Sequence, residues 1–156
     1  MALQPGDKAP SFTLFNSEKE EVSLANYAGK NLLILFFPQA FTGTCTKELC
    51  DMRDNIVNYQ NMGCEVVAIS VDSLFTLAKY KEVNAFPFPL LSDFNKETSR
   101  TYGSIYEEWI HSMKGVSKRS AFVVDGDGTI RYAEVLEKAG DLPNFDAVNA
   151  AIAGLN

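Results

Sequence analysis

The sequence is short of the residues from which several kinds of site are built. Of its 156 residues, three are cysteine, one is histidine and one is tryptophan. A single histidine excludes a multi-histidine metal centre, and three cysteines make a poor disulfide framework. A zinc ion held by Cys45, Cys50, Cys64 and His111 would lack the usual short ligand pairs, so neither a metal nor another cofactor is expected. No apolar stretch approaches the roughly 20 residues that a membrane-spanning helix needs, and no membrane partner is expected. Lysine and arginine never occur in a basic run and total 14 against 20 acidic residues, for a net charge of -6. Phosphate binding wants clustered positive charge, so nucleic acid is not the expected partner either. The first residues do not read as a secretory leader. The expectation is a cytoplasmic protein whose thiols are reduced at rest.

What is present suffices for one globular domain over residues 1–156, with 46% hydrophobic residues available for a core. Phe12, Leu14, Val22 and Leu24 flank the charged tip 16–21 and predict an N-terminal β-hairpin. Leu32 to Phe37 is an unbroken apolar run and reads as a strand buried on both faces. Beyond it, Leu49, Met52, Ile56 and Tyr59 recur at helical spacing, predicting one helix from about Cys45 to Gly63 with Cys45 toward the core side. Residues 65–71 form a second buried strand, and Asp72-Ser73 is expected to cap the helix carrying Leu74, Leu77 and Ala78. A short strand at 90–92, a helix near 96–102, the aperiodic segment 103–114, a hairpin across Gly126-Asp127-Gly128 and a helix at 144–153 complete the chain. The strands at 32–37 and 66–71 are joined by a helix, so they should lie side by side and parallel, with Cys45 at the carboxyl edge.

Cys45 begins a helix, where unpaired backbone N–H groups and the positive end of the dipole favour a thiolate. A free cysteine is only roughly 3% thiolate at neutral pH, and lowering its pKa to near 6 takes about 3.4 kcal/mol. One helix end is too little, so a cationic partner should come from elsewhere. Arg119, just before the strand that starts at Ser120, is the candidate because a guanidinium is always charged and forked; Lys118 beside it is the competing cation. On the bland readings, Thr42 is an ordinary N-cap, Pro38 a strand terminator, Glu48 a surface carboxylate and Cys64 a structural thiol at a strand entry.

The spacing Pro38-x-x-x-Thr42-x-x-Cys45 between a buried strand and a helix resembles the peroxiredoxins of the AhpC/TSA family. Ala40-Phe41-Thr42-Gly43 and the run from Gly115 to Asp125 look most like the AhpE-like branch, while the Cys45-x4-Cys50 spacing matches the bacterioferritin-comigratory branch. The resemblance implies a thioredoxin-like α/β fold with a central mixed β-sheet flanked by helices. It also implies a thiol peroxidase acting on hydrogen peroxide and alkyl hydroperoxides through a cysteine sulfenic acid. On this likeness Cys45 attacks the peroxide, Thr42 holds it, Pro38 shields the sulfur, Arg119 stabilises charge and Glu48 braces Arg119. Cys50 either resolves the sulfenic acid or is a bystander while an external thiol does so. Thioredoxin or glutaredoxin is the implied reductant and a homodimer the implied assembly, with Ile105 to Trp109 near the contact. Two other readings stay open: a thiol-disulfide oxidoreductase, although that chemistry generally uses Cys-x-x-Cys, and a redox sensor or holdase.

Overall fold

The computed structural model describes residues 2–155. The chain opens with the expected hairpin, strands β1 (Thr13–Asn16) and β2 (Glu21–Ser23), whose turn is closed by the Asn16 side chain accepting from the amides of Glu18 and Glu20. Strand β3 (Asn31–Phe36) follows and leads through residues 37–42 into helix α1 (Gly43–Asp54). Helix α2 (Ile56–Asn61) and strand β4 (Cys64–Ser70) come next, then helix α3 (Leu74–Asn84), strand β5 (Leu90–Ser92) and helix α4 (Glu97–Thr101). The remainder is β6 (Ile105–Tyr106), β7 (Val116–Ser117), β8 (Ser120–Val124), β9 (Ile130–Val135) and helix α5 (Phe145–Ala153).

Seven strands form one mixed sheet in the order β2-β1-β5-β4-β3-β8-β9. β3 runs parallel to β4, as the crossover rule requires, and antiparallel to β8. Every residue of β3 after Asn31 is buried, because side chains alternate between two covered faces. Leu33 and Leu35 point to a core shared with Leu49 and Met52 of α1, Tyr59 of α2, Leu77 and Tyr80 of α3, and Val148 and Ile152 of α5. Leu32, Ile34 and Phe36 point to a second core with Phe12, Leu91, Tyr102, Phe122 and Ile130. This double burial seats β3 between two cores, with its carboxyl end leading toward the site.

Four local expectations need correction. The single helix expected from Cys45 to Gly63 is two, because Asn55 leaves the helical region at φ −110, ψ 9. Its side-chain amide donates to the Asp51 carbonyl at 2.8 Å, the competition with backbone bonding that makes asparagine a poor helix interior residue. Apolar spacing continues across the break, so α2 buries the same face. At α3 only Ser73 caps, accepting from the Thr76 amide at 3.2 Å, while the Asp72 carboxylate turns away to the loop before α1. Thr42 stands at the N-cap of α1, but its hydroxyl donates to the Gln39 carbonyl at 2.8 Å and caps nothing. The aperiodic segment 103–114 contains a strand, β6, which pairs with β7 just beyond it and draws residues 105–106 alongside 116–117.

Candidate active site

Cys45 is the third residue of α1, directly beyond the carboxyl end of β3, and its side chain is buried at 1% exposure. Its sulfur faces Arg119, which precedes β8, the strand hydrogen-bonded to β3 along Leu32 to Phe36. One terminal nitrogen of Arg119 donates to Cys45 Sγ at 3.2 Å, and the other donates to Glu48 Oε1 at 2.7 Å. The arginine's remaining grip is on the Ala139 carbonyl, reached from Nε at 3.2 Å and from a terminal nitrogen at 2.9 Å. Cys45 and Glu48 are brought onto one side of α1 by their spacing of three residues, so a single guanidinium spans both.

This buried pair is electrostatically lopsided. Burial pushes the Glu48 carboxyl up to about 7, more than the neighbouring guanidinium pulls it down. Its second oxygen, Oε2, has no hydrogen-bond partner. For Arg119 burial acts downward, yet Glu48 and Cys45 together hold its pKa above the ordinary value, so the cation is secure. The site thus contains a permanent positive charge held against a sulfur in a region closed to water.

The other expected residues are placed as follows. Pro38 is buried where the chain leaves β3, and Thr42 is half-buried at the start of α1. Lys118 turns away to pair with Glu137 at 2.7 Å and lies 5.7 Å from the centre of the Tyr106 ring. Cys50 is half-buried on α1, its thiol 3.8 Å from Asn84 Oδ1 of α3, and all three cysteines are free. Cys64 is the first residue of β4, at the opposite end of the sheet from Cys45, and burial pushes its thiol up to about 12. Cys45 and Cys64 are therefore not neighbours, and among the described residues no group of three or more potential metal ligands forms. Two participants left no mark in the sequence. The Ala139 carbonyl is a backbone group on an irregular segment, and the Tyr80 hydroxyl, 3.0 Å from Thr46 Oγ1, looks in the sequence like any core aromatic of α3.

The AhpC/TSA family model matches residues 5–133. The chain belongs to the AhpC/TSA family. Alkyl hydroperoxide reductase E of Mycobacterium tuberculosis is 38% identical to it over 156 residues, covering 98% of each chain. A thioredoxin peroxidase of Echinococcus granulosus is 31% identical over 162 residues, covering 97% of this chain and 79% of the relative. Among solved structures, peroxidoxin BcpB of M. tuberculosis superposes with a TM-score of 0.87 at 26% identity over 99% of both chains. The family's thioredoxin-like architecture agrees with the mixed sheet and flanking helices described above.

Proposed function

We propose that this AhpC/TSA protein is a thiol peroxidase that reduces hydrogen peroxide and alkyl hydroperoxides at Cys45. The observation that carries the reading is the single guanidinium of Arg119 bonded to both Cys45 Sγ and Glu48. The thiolate sulfur attacks one oxygen of the hydroperoxide, the O–O bond breaks, and the departing oxygen leaves as water or alcohol after taking a proton. The sulfur is left as a sulfenic acid. Arg119 is already oriented where negative charge moves from sulfur to the leaving oxygen, so little reorganisation is needed during the reaction. Pro38 keeps water from the sulfur, and Thr42 turns its hydroxyl from Gln39 to the peroxide when substrate arrives.

Two thiol steps close the cycle. Cys50 attacks the sulfenic acid, releasing water and forming a Cys45–Cys50 disulfide, and a dithiol reductant of the thioredoxin or glutaredoxin type then reduces it. The likeness to the thioredoxin peroxidase of Echinococcus granulosus supports thioredoxin in that role. The enzyme works as a homodimer in the reducing cytoplasm. No helix of the described chain is long and apolar enough to cross a membrane, which is compatible with that location. The deciding experiment follows peroxide consumption with excess dithiothreitol. Wild type should turn over many equivalents and Cys45→Ser none; one slow equivalent from wild type would favour a redox sensor, and more than a trace of turnover from Cys45→Ser would defeat the assignment.

A further inference from the structure

Residues 37–42 join β3 to α1; the Phe37 amide still donates to the Ile69 carbonyl of β4 at 3.0 Å, and the stretch 38–42 beyond it carries both Pro38 and Thr42 past Cys45. Phe41 within it stands at φ 65, a left-handed conformation that residues with a Cβ seldom adopt. Such a loop keeps its shape only if its surroundings impose it. Inside the loop the Thr42 hydroxyl holds the Gln39 carbonyl, and the exposed Phe41 ring lies 4.9 Å from the Tyr80 ring. Apart from bonds to α1 itself, among the described residues one hydrogen bond ties residues 38–42 to another element: the Ala40 amide donates to Asp72 Oδ2 at 2.8 Å.

Asp72 is itself fixed. Its Oδ2 also accepts from the Ser70 hydroxyl at 2.7 Å, its amide donates back to Ser70 Oγ at 3.2 Å, and its carbonyl accepts from the Ser92 hydroxyl at 2.6 Å. Ser70 ends β4 and Ser92 ends β5, so Asp72 is held at the ends of two parallel strands, its carboxylate by Ser70 and its backbone carbonyl by Ser92, and the carboxylate reaches the loop that follows β3. Capping does not account for it, since Ser73 caps α3. Burial raises the Asp72 carboxyl above its ordinary value, so a partly desolvated carboxylate is retained here at some cost.

We propose that Asp72 is a positioning residue for the peroxidase reaction, holding the Pro38–Thr42 loop in register with Cys45 through the Ala40 amide. Arg119, just before β8, donates to Cys45 and is itself held by Glu48 of α1, and among the described residues no hydrogen bond joins either side chain to this loop. Asp72 therefore governs how a hydroperoxide meets the sulfur, and the reactivity of the sulfur itself is set elsewhere. A small misplacement of the substrate's surroundings is expensive in rate, because near-attack geometry tolerates little error.

The inference rests on the peroxidase reading, and the test separates the two. In the full-length chain, oxidation of Cys45 by hydrogen peroxide is timed beside its alkylation by iodoacetamide, located by peptide mass spectrometry. For Asp72→Ala the peroxide rate should fall roughly ten- to a hundredfold while alkylation stays within about twofold of wild type. Asp72→Asn keeps an acceptor for Ala40 and should recover most of the loss. General loosening of the fold would instead speed alkylation of a buried thiol. Equal peroxide rates for wild type and Asp72→Ala, or parallel changes in both reactions, overturn the inference. A wild type that consumes no peroxide overturns the underlying reading instead. If Asp72→Ala fails to fold, Ser70→Ala carries the test: it frees the carboxylate from one of its supports and should lower the peroxide rate with alkylation unchanged, and an unchanged peroxide rate in Ser70→Ala is then the defeating result.

Discussion

Arg119 uses three of its nitrogens on three acceptors, and no other side chain can replace that fork. Lysine would bring the charge but only one nitrogen, so Arg119→Lys cannot hold Cys45, Glu48 and Ala139 together. Arg119→Ala should lower the peroxidase rate by roughly two to three decades, the scale of losing one charge-stabilising group. It should also destabilise the fold by about 3–5 kcal/mol, because Glu48 is left buried without its partner. Lys118→Ala is expected to leave turnover close to wild type; the reverse pattern in steady-state kinetics would transfer the role to the lysine. Glu48 makes a further prediction through pH. Its folded pKa of about 7 lies above the ordinary 4.5, so the folded state favours the protonated acid. The stability it contributes is full below pH 4.5 and is lost as pH rises through about 7. Measured against Glu48→Gln, the wild-type melting temperature should therefore fall between pH 5 and pH 8. A constant difference across that range would mean that Glu48 does not titrate there.

The element that must change during the proposed cycle is α1. Residues five apart on a regular helix have Cα atoms roughly 8 to 9 Å apart, beyond the reach of a disulfide, so a Cys45–Cys50 bond requires α1 to open. Three contacts on α3 resist the opening: Thr46 on the Tyr80 hydroxyl, Cys50 on the Asn84 side chain, and Arg53 donating to the Asn84 carbonyl at 2.6 Å. One equivalent of peroxide should give an intramolecular Cys45–Cys50 bond together with loss of helical circular dichroism. Thr46→Val leaves the buried Tyr80 hydroxyl unpaired at a cost of about 1–3 kcal/mol, and should form the disulfide faster. A lasting sulfenic acid at Cys45 with Cys50 still alkylatable would make this a one-cysteine enzyme. The elements also show what a sequence can display. β3 was legible because an unbroken apolar run has no solvent face, and α5 because Val148 and Ile152 keep helical spacing. The break at Asn55 was not, since Leu49, Met52, Ile56 and Tyr59 record which face is buried and say nothing of backbone continuity. Arg119 and Glu48, 71 residues apart, were paired through the family likeness alone, and the Asp72–Ala40 bond was hidden because Asp72 sits where a helix cap belongs.

At the scale of the molecule, the sheet gathers Cys45, Arg119 and the Asp72 support at one edge, and that edge also exposes apolar surface. Phe41 is 54% exposed and Ile110 55%, close in sequence to the stacked pair Tyr106 and Trp109. A homodimer burying the Cys45 loop and the 105–109 segment is expected, and sedimentation velocity at micromolar concentration should find it; a monomer would remove that expectation. The opposite edge has its own use. Cys64 starts β4 beside Asn31 of β3 and is buried at the floor of a surface hollow with Gln60 and Gly63, so its thiol meets a reagent when the start of β4 loosens, whereas the half-buried Cys50 is uncovered further by the opening of α1. The chain thus carries two internal clocks on one molecule. Labelling at Cys50 keeps time with a local breathing of α1, and labelling at Cys64 with loosening at the opposite end of the sheet. Comparing their rates in a single sample would measure how much of the protein has to come apart for each turn of its chemistry.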